Sequence, residues 1–177
     1  ISIFTGILTP MPSFAEPVKS VSIIEVTEAL KEVGAAFNKC ASEKEARNCS
    51  VLPKDLVTSG YLKAVPVLPD ELKMPAGSNA SFESDDPGTI GGVNAEGKAN
   101  VIISIYPVSI EVCKAFNEFH GLGSRTIPTC NGAPATCSGS MNSSDVPLVN
   151  SQFICVSNTG DNRADLRYYT DTLIKVP

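Results

Sequence analysis

Several residue types that build common active sites are scarce or missing in this chain. It contains no tryptophan and one histidine, His120, and none of its six cysteines forms a Cys-x-x-Cys pair. A zinc or iron–sulfur site made of cysteine and histidine is therefore not expected. No Gly-x-Ser-x-Gly segment is present, and one histidine would have to serve any catalytic triad. These absences argue against an enzyme, and we expect no metal or other cofactor.

Positive charge is also in short supply. The chain carries 14 Lys+Arg against 19 Asp+Glu, a formal net charge of -5. Such a chain lacks the basic surface that binds phosphates, so nucleic acid is not expected as a specific ligand. The remaining composition is that of a folded protein, with 42% hydrophobic and 19% charged residues in 177, which is the size of one domain.

The N-terminal segment, residues 1–19, is apolar at first and then interrupted by prolines. It is too short to span a bilayer, which needs about 20 apolar residues. One interpretation is a signal-peptide remnant, with Ser13 and Ala15 as the small residues before a cut. The other is the stub of a longer membrane helix. Residues 20–177 are expected to form a single globular domain.

The six cysteines are an even number, which favours three disulfides in an oxidising compartment. Six cysteines allow 15 connectivities, and the sequence alone cannot choose among them. Locality favours one: two pairs bracket short loops, and the remaining two cysteines would form a long-range tie. The pairs are Cys40–Cys49, Cys130–Cys137 and Cys113–Cys155.

The clearest element is a helix over residues 20–40. Its apolar residues recur at spacings of three and four and form one stripe, and Ser22 with Glu25 is expected to form a capping box at its start. The stripe consists of Ile23, Val26, Leu30, Val33 and Phe37. A one- to two-turn helix after Leu52, stopped by Gly60, is expected to follow. Because the rest of the chain is β-rich, we expect an α+β fold in which the first helix packs across an antiparallel sheet.

The second half of the chain predicts a strand, a helix and a β ending. A short strand is expected near Ala80 and a strong one over 99–106. A serine-capped helix over 109–120 should bury Val112, Phe116 and Phe119 and stop at Gly121. Residues 121–150 are rich in turn formers. Strands are predicted over 151–157, 164–170 and 172–176.

Three polar groups are candidates for function, and each has a plainer interpretation. His120 could be a catalytic base or a metal ligand, but a helix C-terminal cation is the better interpretation. Glu83, Asp85 and Asp86 could bind calcium, but the loop lacks the regular spacing of a calcium loop, and a solvated acidic turn is the better interpretation. Arg163, Arg167, Tyr168 and Tyr169 could form a surface patch, although alternation in a strand would expose only half of them, and no ligand is assigned to the patch.

Three segments together resemble the globular part of a type IV pilin, most closely the type IVb group. The helix over 20–40 resembles the C-terminal half of the long pilin helix. The segment Asp55-Leu-Val-Thr-Ser-Gly-Tyr-Leu62 is similar to the one that often follows that helix, and residues 101–116 with Cys155 resemble the type IVb strand–helix–cysteine unit. The chain departs from the family in having Thr5 near its start, where no early glutamate is visible, and in carrying four additional cysteines.

The resemblance implies a pilin-like fold and a structural role as a subunit of an extracellular pilus, with adhesion or conjugation as associated roles. The partners would be other copies of the chain or other pilins, and a receptor on a host or recipient cell. Contact with the membrane would be through a missing or partial N-terminal helix. Such a protein reaches the bacterial cell surface through the inner membrane and periplasm. The alternative is a small secreted disulfide-rich binding module, adhesin-like or lectin-like, that makes contact through residues 121–150.

Overall fold

The computed structural model describes residues 20–72, 74, 78–84, 89–90, 98–122, 127–130, 140–141, 152–158 and 162–175. The helices are α1 (Ser20–Glu43), α2 (Pro53–Thr58) and α3 (Ile110–Phe119), with 3-10 turns at Ala46–Asn48 and Asp70–Leu72. The strands are β1 (Ser81–Ser84), β2 (Thr89–Ile90), β3 (Lys98–Ser109), β4 (Thr129–Cys130), β5 (Ser140–Met141), β6 (Phe153–Asn158) and β7 (Arg163–Lys175). Residues 1–19 lie outside the described residues, so both interpretations of that segment remain predictions.

α1 has the amphipathic pattern that the sequence predicts. All five residues of its apolar stripe are buried, and the charged residues between them, Glu25, Glu28, Lys31 and Glu32, are exposed. The helix continues three residues beyond the predicted end. The capping-box prediction is wrong, because Ser22 is a buried residue inside a helix that already includes Ser20.

The main sheet has the order β1-β3-β7-β6-β4. The pairs β1–β3, β3–β7 and β6–β7 are antiparallel, whereas the two-residue β4 runs parallel to β6. In the middle of the sheet Ile103 and Phe153 both lie opposite Tyr168. A separate two-stranded sheet pairs β2 with β5.

Both faces of the central strands are buried. One face packs against α1 and α3 and includes Ile103, Ile105, Cys155, Leu166 and Tyr168. The alternate residues point to the second face, and they too are buried: Ile102, Ser104, Ile154, Val156, Asp165, Arg167 and Tyr169. The strands therefore form an inner layer, unlike a sheet with one solvated face.

Two glycines end the shorter helices where the sequence predicts. Gly60 has φ 78° after α2 and Gly121 has φ 79° after α3, a backbone conformation that side chains disfavour. The Ser109 hydroxyl accepts a hydrogen bond from the Val112 amide at 3.2 Å, which confirms the predicted serine cap of α3.

Three details differ from the sequence predictions. Phe119 is 49% exposed rather than buried, because the inward position one turn after Phe116 belongs to His120. β3 continues past Pro107, where the register shifts between Ile105 and Val108, since a proline is tolerated at such an irregularity. The two predicted C-terminal strands are the single strand β7.

Two disulfides join these elements. Cys40–Cys49 links α1 to the segment that follows it, and Cys113–Cys155 links α3 to β6. Both are pairings favoured by locality in the sequence. Cys137 lies outside the described residues, so the third pair stays a prediction. The architecture is thus α+β, with an N-terminal helix on a largely antiparallel sheet.

Candidate functional site

The junction between α3 and β6 is held by a disulfide and by side-chain hydrogen bonds. Besides the Cys113–Cys155 disulfide, the Asn117 side chain forms two buried hydrogen bonds to the backbone of Cys155. Its Oδ1 accepts from the Cys155 amide at 2.7 Å, and its Nδ2 donates to the Cys155 carbonyl at 3.0 Å. β4 pairs with β6 only at Ser157 and Asn158, so the Asn117 amide takes the place of a neighbouring strand at Cys155.

His120 follows α3 and packs between aromatic rings at this junction. Its imidazole stacks on Phe153 with centroids 4.5 Å apart and an interplanar angle of 13°. Phe153 in turn stacks on Tyr168, with centroids 4.7 Å apart. A hydrogen bond of 3.1 Å joins His120 Nε2 to Thr27 Oγ1 on α1. His120 therefore connects α3, β6 and the N-terminal half of α1.

Burial lowers the pKa of His120 to about 4, and the nearby positive charge of Lys31 adds to this effect. The imidazole is consequently neutral at pH 7. The prediction of a helix C-terminal cation is wrong in its charge: the side chain bonds to Thr27 on another helix and is too poorly solvated to hold a proton at neutral pH. Within the described residues, no three His, Cys, Asp or Glu side chains lie close enough together to hold a metal ion.

The arginines and tyrosines considered as a possible surface patch do not form one surface. Arg167 is fully buried on the second face of the sheet, and its Nε donates to Asp165 Oδ2 at 2.7 Å. Tyr169 is buried on that face, whereas Tyr168 belongs to the ring stack on the first. Burial, followed by the charge of Asp171, raises the pKa of the Tyr168 phenol. Strand alternation separates the two tyrosines, and burial of both faces forces Arg167 to pair with a carboxylate.

The acidic turn considered as a calcium site is described only at Glu83. Its Oε1 accepts a hydrogen bond from the Ser81 hydroxyl at 3.0 Å, within the edge strand β1. Asp85 and Asp86 lie outside the described residues, as do most of residues 121–150. The structure therefore leaves the calcium interpretation and the loop-contact interpretation as predictions.

Sequence reasoning overlooked Asn117, Thr27 and Gly34. Asn117 lies one position after Phe116 on α3, and its side chain pairs with the backbone of Cys155 on the neighbouring strand β6. The local sequence around Asn117 does not indicate which strand lies beside the helix. The backbone of Gly34 faces the ring of Tyr168 so closely that a Cβ at that position would require the ring or the helix to shift. Glycine in the middle of a strongly amphipathic helix was the available signal for this close approach.

Comparisons of the chain with protein families, with curated proteins and with solved structures give no match. In the part of the chain that the structure describes, no helix combines the length and the apolar character needed to cross a bilayer. The functional conclusion must therefore come from the residues and their arrangement.

Proposed function

We propose that this protein is a structural subunit of an extracellular type IV pilus, a major or minor pilin that acts by assembly. The observation that carries the proposal is the position of α1, which packs across one face of an antiparallel sheet while Cys113–Cys155 fastens α3 to β6. The sequence resemblance implies this same arrangement for the same residues. Disulfides of this kind form in the periplasm and persist on the bacterial surface, where adhesion or conjugation would take place.

The outer side of the α1–α3 contact supports a role in assembly. Ile24 is 47% exposed on α1, one turn before Thr27, and Thr27 contacts His120 beside the half-exposed Phe119. Two large apolar side chains thus flank one inter-helix contact. We assign the contact between neighbouring subunits to this surface.

The proposal is tested in cells that carry the gene. Deleting the gene should abolish the filaments seen by electron microscopy, and the wild-type gene should restore them. Complementation with Ile24→Glu should fail to restore them, because a charge would enter the subunit contact. The melting temperature of the purified Ile24→Glu subunit should change by less than about 2 °C, since the residue is half exposed in the monomer.

Glu25→Ala is the matched control, because Glu25 is exposed next to Ile24 on the same helix. This variant should assemble normally. Normal filaments in the deletion strain would refute the pilin proposal. Normal assembly of Ile24→Glu would refute the assigned contact.

The coding sequence before Ile1 distinguishes a pilin from the alternative, a small secreted binding module. A short basic leader, a glycine before the cut and an unbroken apolar run with an early glutamate support a pilin. A basic segment leading directly to a cut after Ala15 supports the secreted module.

A further inference from the structure

An open groove of about 470 Å³ lies beside the edge strand β1. Its walls come from the start of α2, from segment 65–68, which belongs to no helix or strand, and from the beginning of β1. The apolar lining is formed mainly by Leu52, Pro53, Val65, Pro66, Leu68 and Phe82. Its volume lies within the range of ordinary ligand sites, roughly 300–1,000 Å³.

Two walls of this groove present backbone groups that no described residue pairs. β1 pairs with β3 along one side and has no strand on its other side within the described residues. Segment 65–68 belongs to no helix or strand, and no backbone hydrogen bond ties it to another described residue. Pro66 favours an extended conformation at the residue before it. An unpaired strand edge is a template for a further strand.

The groove also has one positive charge at its rim. Lys54 lines the groove and is exposed, and among the described residues no carboxylate pairs with its amine. In a chain with a net charge of -5, a cation beside an apolar groove favours a ligand that brings its own carboxylate.

We propose that this groove binds an extended peptide segment of another protein, which adds to β1 as a strand. The peptide would place apolar side chains against Val65 and Phe82 and a carboxylate beside Lys54. β1 is four residues long, about 13 Å at 3.3 Å per residue, so the bound segment is about four residues long. Main-chain hydrogen bonds supply affinity in this mode, and alternate side chains supply selectivity. The proposal does not depend on filament assembly.

The test measures binding of the fluorescein-labelled peptide Val-Thr-Val-Thr-Glu to the full chain by fluorescence polarisation. Amide resonances of residues 52–54, 65–68 and 80–82 should shift on binding in two-dimensional NMR spectra. Val65→Asp should weaken binding about tenfold or more, because it places a charge in the apolar wall. Lys54→Glu should weaken it by a similar factor of about ten through repulsion of the carboxylate.

Val67→Asp is the matched control, because Val67 is 91% exposed, two residues from Val65, and does not line the groove. This variant should bind within about twofold of the wild type. A peptide with N-methylated backbone amides should bind at least about tenfold more weakly, since it cannot complete the strand pairing.

The proposal would be overturned if the peptide did not bind at concentrations up to about 1 mM, or if Val65→Asp and Val67→Asp weakened its binding equally. It would also be overturned if the N-methylated peptide bound as tightly as the unmodified one, or if decanoate bound equally tightly at the same residues. Concentration-dependent self-association that Val65→Asp abolishes would show instead that the occupant is a second copy of the chain.

Discussion

His120 shows how the surroundings of one residue determine its chemistry. An isolated imidazole titrates near pH 6.5, but this one stacks on Phe153, bonds to Thr27 and lies near Lys31. Each of these neighbours belongs to a different element from His120. The lowered pKa of His120 therefore reports on whether α1, α3 and β6 are correctly docked.

We expect this titration to make stability depend on pH. The pKa of His120 is about 4 in the folded protein and near 6.5 in the unfolded chain, so between these values the unfolded chain binds more protons. The stabilisation is therefore fully present above pH 6.5 and is lost as the pH falls toward 4. Because the ring is only partly buried, we expect a loss of about 1–2 kcal/mol over this window.

Urea unfolding at pH 7 and at pH 4.5 measures this effect. Carboxylates also titrate toward the lower pH, so the decisive quantity is the difference between wild type and His120→Gln. The glutamine variant should lose less stability on acidification than the wild type does. An identical pH dependence in both proteins would contradict the assignment.

At the scale of elements, the packing of α1 on β7 depends on one glycine. A Cβ added at Gly34 would lie 2.9 Å from Cδ1 of Tyr168 and closer still to Cε1. The Tyr168 ring cannot move away freely, because it is buried and stacked on Phe153. One turn further along α1, the Thr172 hydroxyl donates to Asn38 Oδ1 at 2.7 Å and holds the same two elements in register.

Gly34→Ala should therefore destabilise the protein although alanine is the better helix former. Overpacking costs about 1–3 kcal/mol, and improved helix propensity returns about 1 kcal/mol. We expect a net loss of up to about 2 kcal/mol in the free energy of unfolding. Glu32→Ala, at an exposed position of the same helix, should change that free energy by less than about 0.5 kcal/mol. A Gly34→Ala protein as stable as the wild type would show that α1 can shift away from β7.

At the scale of the whole molecule, the two disulfides constrain the unfolded chain to different extents. Cys40–Cys49 closes a loop with a sequence separation of 9, and Cys113–Cys155 one of 42. Loop-closure entropy gives about 3 kcal/mol for the first and about 4 kcal/mol for the second. Cys113 and Cys155 are also fully buried, so replacing them leaves a cavity as well.

Replacing each cysteine pair by alanine should thus show which disulfide contributes more to the stability of the protein. The Cys113→Ala/Cys155→Ala protein should melt at a lower temperature than the Cys40→Ala/Cys49→Ala protein, and calorimetry on both variants makes the comparison. The reverse order of melting temperatures would indicate that the Cys40–Cys49 disulfide stabilises the protein more than its short loop predicts.

The sequence by itself determined the features that depend on near neighbours in the chain. The stripe of α1 follows from a spacing of three and four, the end of α2 from Gly60, and the start of α3 from Ser109. The Cys40–Cys49 pair follows from its short loop. Each of these depends on residues within a few turns of one another, so the local pattern is sufficient.

Only the tertiary structure decided the features that depend on desolvation by distant residues. Strand alternation suggested that half of the β7 side chains would face water, but both faces of the sheet are buried, so Arg167 pairs with Asp165. Asn117 completes a strand 38 residues away, and His120 bonds to Thr27 across 93 residues. Burial and hydrogen-bond partners of this kind are set by which elements meet, and no local spacing in the sequence records that.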